Sequence, residues 1–296
     1  MSRKLFTAPL KNITNKQASC KQEILSDIER EVLASHVFAD ENQICAMNKY
    51  SRQISNYYES LDVPSQFIEA DITFEMRSLL VDWMISCHEK VNLSDDTLYF
   101  SIFLTDRFLT GRSISPNKLQ LVGITALFIA SKYEEVVCPD LNSFIILAER
   151  NYSEAEITKA EKYMLYSLNY DVRFLNPLYF VRRVSKANNY DSRTRKMAKY
   201  FLELMTLSKV FYDFPKSVLG TTAMYLARKI CQTDVNKNIF FLYSNLDRCE
   251  IKRCFDELVK LIYSDPAYPF VEKKYSQESR YSVNILARKF ARDHFN

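Results

Sequence analysis

VGITALFIASKY, residues 122–133, lies without a gap on LGTTAMYLARKI, residues 219–230. Glycine, threonine, two alanines and lysine coincide, and most other positions are apolar in both. The offset is 97 residues (219 minus 122), and it also places Glu203 over Asp106, each an acid in an otherwise apolar segment. Two of the 3 glycines in the 296-residue chain share the matched position. Gly123, Ala126, Ala130 and Ser131 recur at helical spacing, so neighbouring helices can approach this one closely. The repeat predicts a duplicated helical unit with a small-residue helix at the middle of each copy.

Composition supports helices. Glycine (3) and proline (8) are scarce, while 47% of the chain is hydrophobic and 14% aromatic, enough for a large core. Phosphate-cradling loops need glycine for close backbone approach, so Walker and dinucleotide-binding loops are excluded. A sheet built on tight hairpins is disfavoured for the same reason. The net charge of +4 is too mild for the basic footprint of a nucleic-acid binder. Seven cysteines (20, 45, 87, 138, 231, 249 and 254) form no CxxC pair, and no signal peptide is evident. They predict reduced thiols in the nucleus or cytoplasm. No apolar run suits a bilayer span. No cofactor and no metal are expected: the histidines, His36, His88 and His294, form no HExxH, and no nucleophile motif occurs.

Helical periodicity runs through 74–91, 95–110, 116–133, 140–149 and 153–168, then 177–187, 191–209, 215–231, 236–244 and 247–263. Ser94 and Asp95 suit the start of the second segment, Pro116 the first turn of the third, and Ser153 with Glu156 makes a capping box for the fifth. Amphipathic helices are also expected at 21–38 and 47–61. The reading is all-α: an N-terminal tail (1–46), an N-terminal helix and connector (47–73), two tandem five-helix bundles (74–171 and 172–265) and a basic C-terminal tail (266–296).

In MRSLLVDW (76–83), Met76, Leu79, Leu80 and Trp83 form one apolar stripe, which spacing alone assigns to core. Arg77 and Asp82 stand off that stripe, and spacing gives Asp82 no role. Lys132 and Glu161 read, by themselves, as surface charges.

MRSLLVDW, DRFL (106–109) and KLQLVGITALFIASKYEE (118–135), at their spacing, resemble the cyclin box, and the second repeat resembles the C-terminal cyclin box. YSRQISNYYESL (50–61) is similar to the helix preceding the box in A- and B-type members. KYSQESRYSVNILARK (274–289) looks like the terminal segment of G2/mitotic B-type cyclins. The resemblance implies a non-catalytic subunit that binds and activates a cyclin-dependent kinase by holding its αC helix in the active position. Lys132 and Glu161 would hydrogen-bond near that helix, with Ile129, Tyr133 and Tyr170 beside them and Tyr50, Ile54 and Tyr57 against the kinase's other lobe. Arg77 would pair with Asp106. Met76, Leu79, Leu80, Trp83 and Gln120 would form a patch for Arg-x-Leu peptides of substrates or inhibitors, with Ser86 where A-type members carry an acid. TAPLKNITNK (7–16) resembles a destruction box read by ubiquitin ligase machinery, with Leu10, Ile13 and Asn15 in register but Thr7 in place of its arginine. DEN (40–42) lacks the lysine of a KEN box, and Cys138–Pro139 stands where members often carry two prolines. The alternative is a transcription-factor-IIB-like pair of cyclin folds that grips DNA, but neither its zinc ribbon nor a basic face is evident.

Overall fold

The computed structural model describes residues 50–110, 112–233, 237–264 and 268–295. The tail, the helix expected at 21–38, the destruction-box-like residues Leu10, Ile13 and Asn15, and DEN lie outside the described residues.

Every regular element among the described residues is a helix, as expected. Helix α1 (Ser51–Leu61) leads into a first bundle of α2 (Phe74–Lys90), α3 (Asp95–Leu109), α4 (Leu119–Glu134), α5 (Leu141–Leu147) and α6 (Glu154–Ser167). The second bundle is α7 (Leu178–Ser185), α8 (Ser192–Thr206), α9 (Lys216–Cys231), α10 (Lys237–Ser244) and α11 (Arg248–Tyr263), and α12 (Pro269–Tyr275) and α13 (Val283–Phe295) follow. Helices α3 and α8 begin and end 97 residues apart (192 minus 95), as do α4 and α9 (216 minus 119), so the repeat is structural. Local chemistry sets several starts. The Ser94 hydroxyl accepts from Thr97 N–H, and Ser153 and Glu156 form a reciprocal capping box. Pro116 opens a short 3₁₀ turn, Pro116–Lys118, ahead of α4.

The two glycines fit helices together, with unequal tolerance. A Cβ on Gly123 would lie 2.8 Å from Leu80 Cδ1 and 3.3 Å from Met84 Sδ, both parts of flexible side chains. A Cβ on Gly220 would meet Phe180 Cβ at 2.8 Å and the backbone, Pro177 O, at 3.0 Å. Gly220→Ala is therefore expected to destabilise by about 1–3 kcal/mol through overpacking. Gly123→Ala should be near neutral, because the ~1 kcal/mol helix-propensity gain offsets a small side-chain shift. Urea midpoints compare them directly, and equal losses would refute the distinction.

The bundles share a core. One buried cluster runs from Val81, Met84 and Ile85 in α2 through Leu98 and Ile102 in α3 to Leu202 and Met205 in α8. Polar anchors supplement it. Arg77, fully buried, donates from Nε to Asp106 Oδ1 at 2.8 Å and from Nη2 to Oδ2 at 2.9 Å. Its third nitrogen, Nη1, donates to the Thr206 carbonyl at the end of α8. The next carbonyl, Leu207, accepts from Ser78 at 3.0 Å and Tyr268 at 2.8 Å. Helix ends leave their last carbonyls unpaired and partially negative, so a cation and hydroxyls suit this end. The guanidinium also lies 5.3 Å from the ring centroids of Phe74 and Tyr212.

Asp82 does the converse. Its carboxylate accepts from Val271 N–H at 3.0 Å and Phe270 N–H at 3.3 Å, meeting the first turn of α12. The C-terminal segment is thus a packed part of the fold. From α12, Lys274 donates at 2.7 Å to Glu203, which also accepts from Tyr275 at 2.7 Å. The matched acids of the two copies, Asp106 and Glu203, each hold a cation, one from α2 and the other from α12.

Glu89 at the end of α2 fastens the same segment. It accepts from Arg280 at 2.8 and 2.9 Å and lies 3.4 Å from Lys274. Burial alone would raise its pKa, but His88, Lys274 and Arg280 outweigh that and hold it at about 2, below the ordinary 4.5. A depressed folded-state pKa gives stability that is complete above the unfolded value and lost as pH falls through the folded one. Wild-type stability should therefore decline from about pH 5 toward pH 2, and Glu89→Gln should flatten part of that limb. Thermal melts across this range measure it, and identical slopes would remove Glu89 from the account.

Candidate functional site

Lys132 stands in the last turn of α4 and Glu161 in the middle of α6, which packs beside it. The two side chains pair directly, and the ammonium also lies 4.1 Å from the centroid of the Phe128 ring. Phe128 was not singled out from sequence, although it stands four residues before Lys132 and hence on the same helix face. The pair is accessible, at 40% side-chain exposure for Lys132 and 15% for Glu161. Lysine offers only donors and the carboxylate only acceptors, so together they can serve both kinds of backbone group.

The same two helices and the turns after them also carry exposed apolar side chains. Tyr133 and Tyr170 are well exposed, as are Tyr163, Tyr166, Val136 and Val137, none of which the sequence reading named. Their signal was available, because Tyr163 and Tyr166 interrupt the polar face of α6. Ile129 differs from its neighbours: it is buried, 6% exposed, and packs under this face. The turn after α4 is fixed by Glu135, which accepts from Ser94 N–H at 2.7 Å and from the Thr97 hydroxyl at 2.5 Å. Burial opposes its charge, yet these hydrogen bonds hold its pKa below normal.

Helix α1 is two-sided. Tyr58 turns inward, its ring meeting Tyr179 edge-on at 4.5 Å between centroids, and Ser55 is buried beneath Arg183 at 3.0 Å. Tyr50, Ile54 and Tyr57 are left exposed. Tyr58 is also within electrostatic reach of Glu134, two residues after Lys132.

The second group sits at the other end of α4. Leu79 is 65% exposed, and Met76, Trp83 and Gln120 are half-buried. Leu80 departs from the expectation of a surface contact. It is 6% exposed and lies against Gly123, so it forms the floor of the patch and not its surface. Gln120 accepts from Asn151 at 3.3 Å. Twelve residues of helix separate Gln120 from Lys132, about 18 Å at 1.5 Å per residue, so both groups can be occupied together.

Residues 44–173 match the family described as "Cyclin, N-terminal domain", and residues 175–289 match "Cyclin, C-terminal domain". The chain belongs to the cyclin family. Its relatives include G2/mitotic-specific cyclins. A G2/mitotic-specific cyclin-B of Emericella nidulans is 34% identical over 92% of this chain and 56% of its own length. The G2/mitotic-specific cyclin cdc13 of Schizosaccharomyces pombe is 35% identical over 82% of this chain and 52% of its own length. The chain thus spans about half of each. Among solved structures, a viral cyclin from herpesvirus saimiri superposes with a TM-score of 0.58 at 15% identity, covering 65% of this chain and 88% of that one. The yeast RNA Pol II CTD kinase CTDK-1 complex gives 0.54 at 13% identity, covering 72% of each. Helices α2–α6 lie within the N-terminal match, with the Lys132–Glu161 pair among them, and α7–α12 with the start of α13 lie within the C-terminal match.

Proposed function

We propose that this cyclin is a regulatory subunit that binds and activates a cyclin-dependent protein kinase in mitotic control, acting in the nucleus, the cytoplasm or both. One observation carries the reading: an accessible Lys132–Glu161 pair on α4 and α6, helices that with the turns after them also expose Tyr133, Tyr166, Tyr170, Val136 and Val137, while α1 exposes Tyr50, Ile54 and Tyr57. The chemistry belongs to the kinase. Its β3 lysine must pair with a glutamate on its αC helix before ATP is properly held. A rigid surface that binds only the inward position of αC populates that position in proportion to its differential affinity. Shared hydrophobic packing between the two boxes supplies the stiffness this requires. Mixing the purified chain with a mitotic cyclin-dependent kinase tests the reading: a stable complex and a large gain in phosphate transfer are expected. Absence of a complex, or a complex with no gain, would overturn it.

The Met76–Leu79–Trp83 surface, with Gln120 beside it, is proposed to dock Arg-x-Leu segments of substrates or inhibitors. With Ser86 in place of an acid, docking would rest on apolar burial more than on charge. Trp83→Ala is expected to raise the KM of docking-motif substrates about tenfold, the scale of a central aromatic contact, while leaving motif-free substrates unchanged. Equal KM values in mutant and wild type would remove the patch.

A further inference from the structure

A cavity of about 500 Å³ opens between the two boxes, under the connector that follows α1. That volume falls within the roughly 300–1,000 Å³ typical of small-molecule sites. Its walls come from both halves of the molecule. Ile102 from α3, Leu202 and Met205 from α8, and Phe211 from the turn after α8 are all buried apolar lining residues.

Four cations reach this cavity, and three are answered by carboxylates. Arg77 is held by Asp106, while Arg107 at 3.0 Å and Arg173 at 2.9 Å share Asp171. The fourth, Lys216 in the first turn of α9, donates its ammonium to the neutral hydroxyl of Ser65. Among the described residues it has no ion-pair partner. The nearby acids are engaged elsewhere: Asp106 with Arg77 and Tyr212, and Asp62 with Ser217 N–H at 3.2 Å. Burial pushes the Lys216 pKa down against the smaller upward pull of Asp106 and Asp62, so its charge is held at a cost.

We propose that this inter-box cavity binds a small amphipathic anion, an apolar body ending in one carboxylate or sulfonate, with the anionic group on Lys216 and the body along Ile102, Leu202, Met205 and Phe211. A neutral ligand would leave the ammonium unanswered. A second negative charge on the ligand would meet apolar walls or guanidinium groups already paired with Asp106 and Asp171. Because the lining comes from both boxes, an occupant bridges them and stabilises the folded chain by mass action. This site is separate from the α4–α6 face and does not depend on the kinase reading.

The probe is 1-anilinonaphthalene-8-sulfonate, titrated into the full chain and followed by fluorescence. Saturation at one probe per chain is expected, with displacement by decanoate and at least about tenfold weaker displacement by 1-decanol, the scale of one charged hydrogen bond. Lys216→Met keeps the chain length of the side chain and removes its charge. It should weaken decanoate about tenfold or more, leave 1-decanol unchanged, and preserve the circular dichroism spectrum and melting temperature of the unliganded protein. Lys216→Arg should restore decanoate affinity. Equal displacement by the acid and the alcohol would overturn the anion assignment, as would wild-type decanoate affinity in Lys216→Met. Absence of saturable binding would overturn the site. A probe site that appears only after removal of residues 1–46 would also overturn it, because the chain's own N-terminal segment would then be the occupant.

Discussion

Glu161→Ala and Lys132→Ala are each expected to abolish kinase activation at working concentrations while leaving the fold intact. Both side chains are partly exposed, and a pair of that kind contributes about 0–1 kcal/mol to stability. The melting temperature should therefore hardly move. At an interface the same charges would be desolvated and hydrogen-bonded, and truncating one partner there costs about 2–5 kcal/mol. At ~1.4 kcal/mol per tenfold, affinity for the kinase should fall by roughly 30-fold to more than a thousandfold. The separation of the two readouts is what matters. Loss of activation together with loss of fold would make the pair merely structural, and normal activation by both variants would move the kinase contact elsewhere. Titration calorimetry against the kinase, paired with thermal melts of the free chain, measures both.

Arg77→Met should produce the opposite pattern, a large loss of stability. The guanidinium is fully buried and serves Asp106, the Thr206 carbonyl and two aromatic rings. Removing it leaves the Asp106 carboxylate, only 17% exposed, without its cation. Losing one member of such a pair costs about 3–5 kcal/mol, a large share of the ~5–15 kcal/mol that holds a domain together. The double variant Arg77→Met/Asp106→Leu should recover part of this, since replacing a whole buried pair with apolar groups is often near neutral. Recovery should be incomplete, because the Thr206 carbonyl and the Tyr212 hydroxyl also lose their partners. Urea denaturation tests the series. A loss under about 1 kcal/mol in the single variant would contradict this account of the pair.

The Lys132–Glu161 and Arg77–Asp106 pairs are alike in sequence separation, 29 residues in each case, and differ in everything that sets their energetics. One faces outward from two helices packed together. The other is enclosed because the second box closes over it. The family resemblance nominated both pairs, but nothing in the sequence ranks their burial, which depends on packing against residues about 130 positions away.

What the sequence determined by itself was the element pattern and its duplication. Scarce glycine, helical periodicity, capping residues and the 97-residue offset are local or periodic signals, and they fixed an all-helical chain with two matched bundles. The site residues were visible only through resemblance, because a lysine and a glutamate 29 positions apart carry no local signature of a shared purpose. Tertiary structure alone decided the uses of Arg77, Asp82 and Glu203. Arg77 meets the negative end of α8, Asp82 the first turn of α12, and Glu203 a lysine from α12. Leu80 likewise became floor and not surface because Gly123 lets α4 come within contact of it. The reason is common to all four. Hydrophobic patterning says which face of a helix is buried, whereas the partner of a buried charge is set by which helix end the finished packing brings alongside, and that contact has no period in the chain.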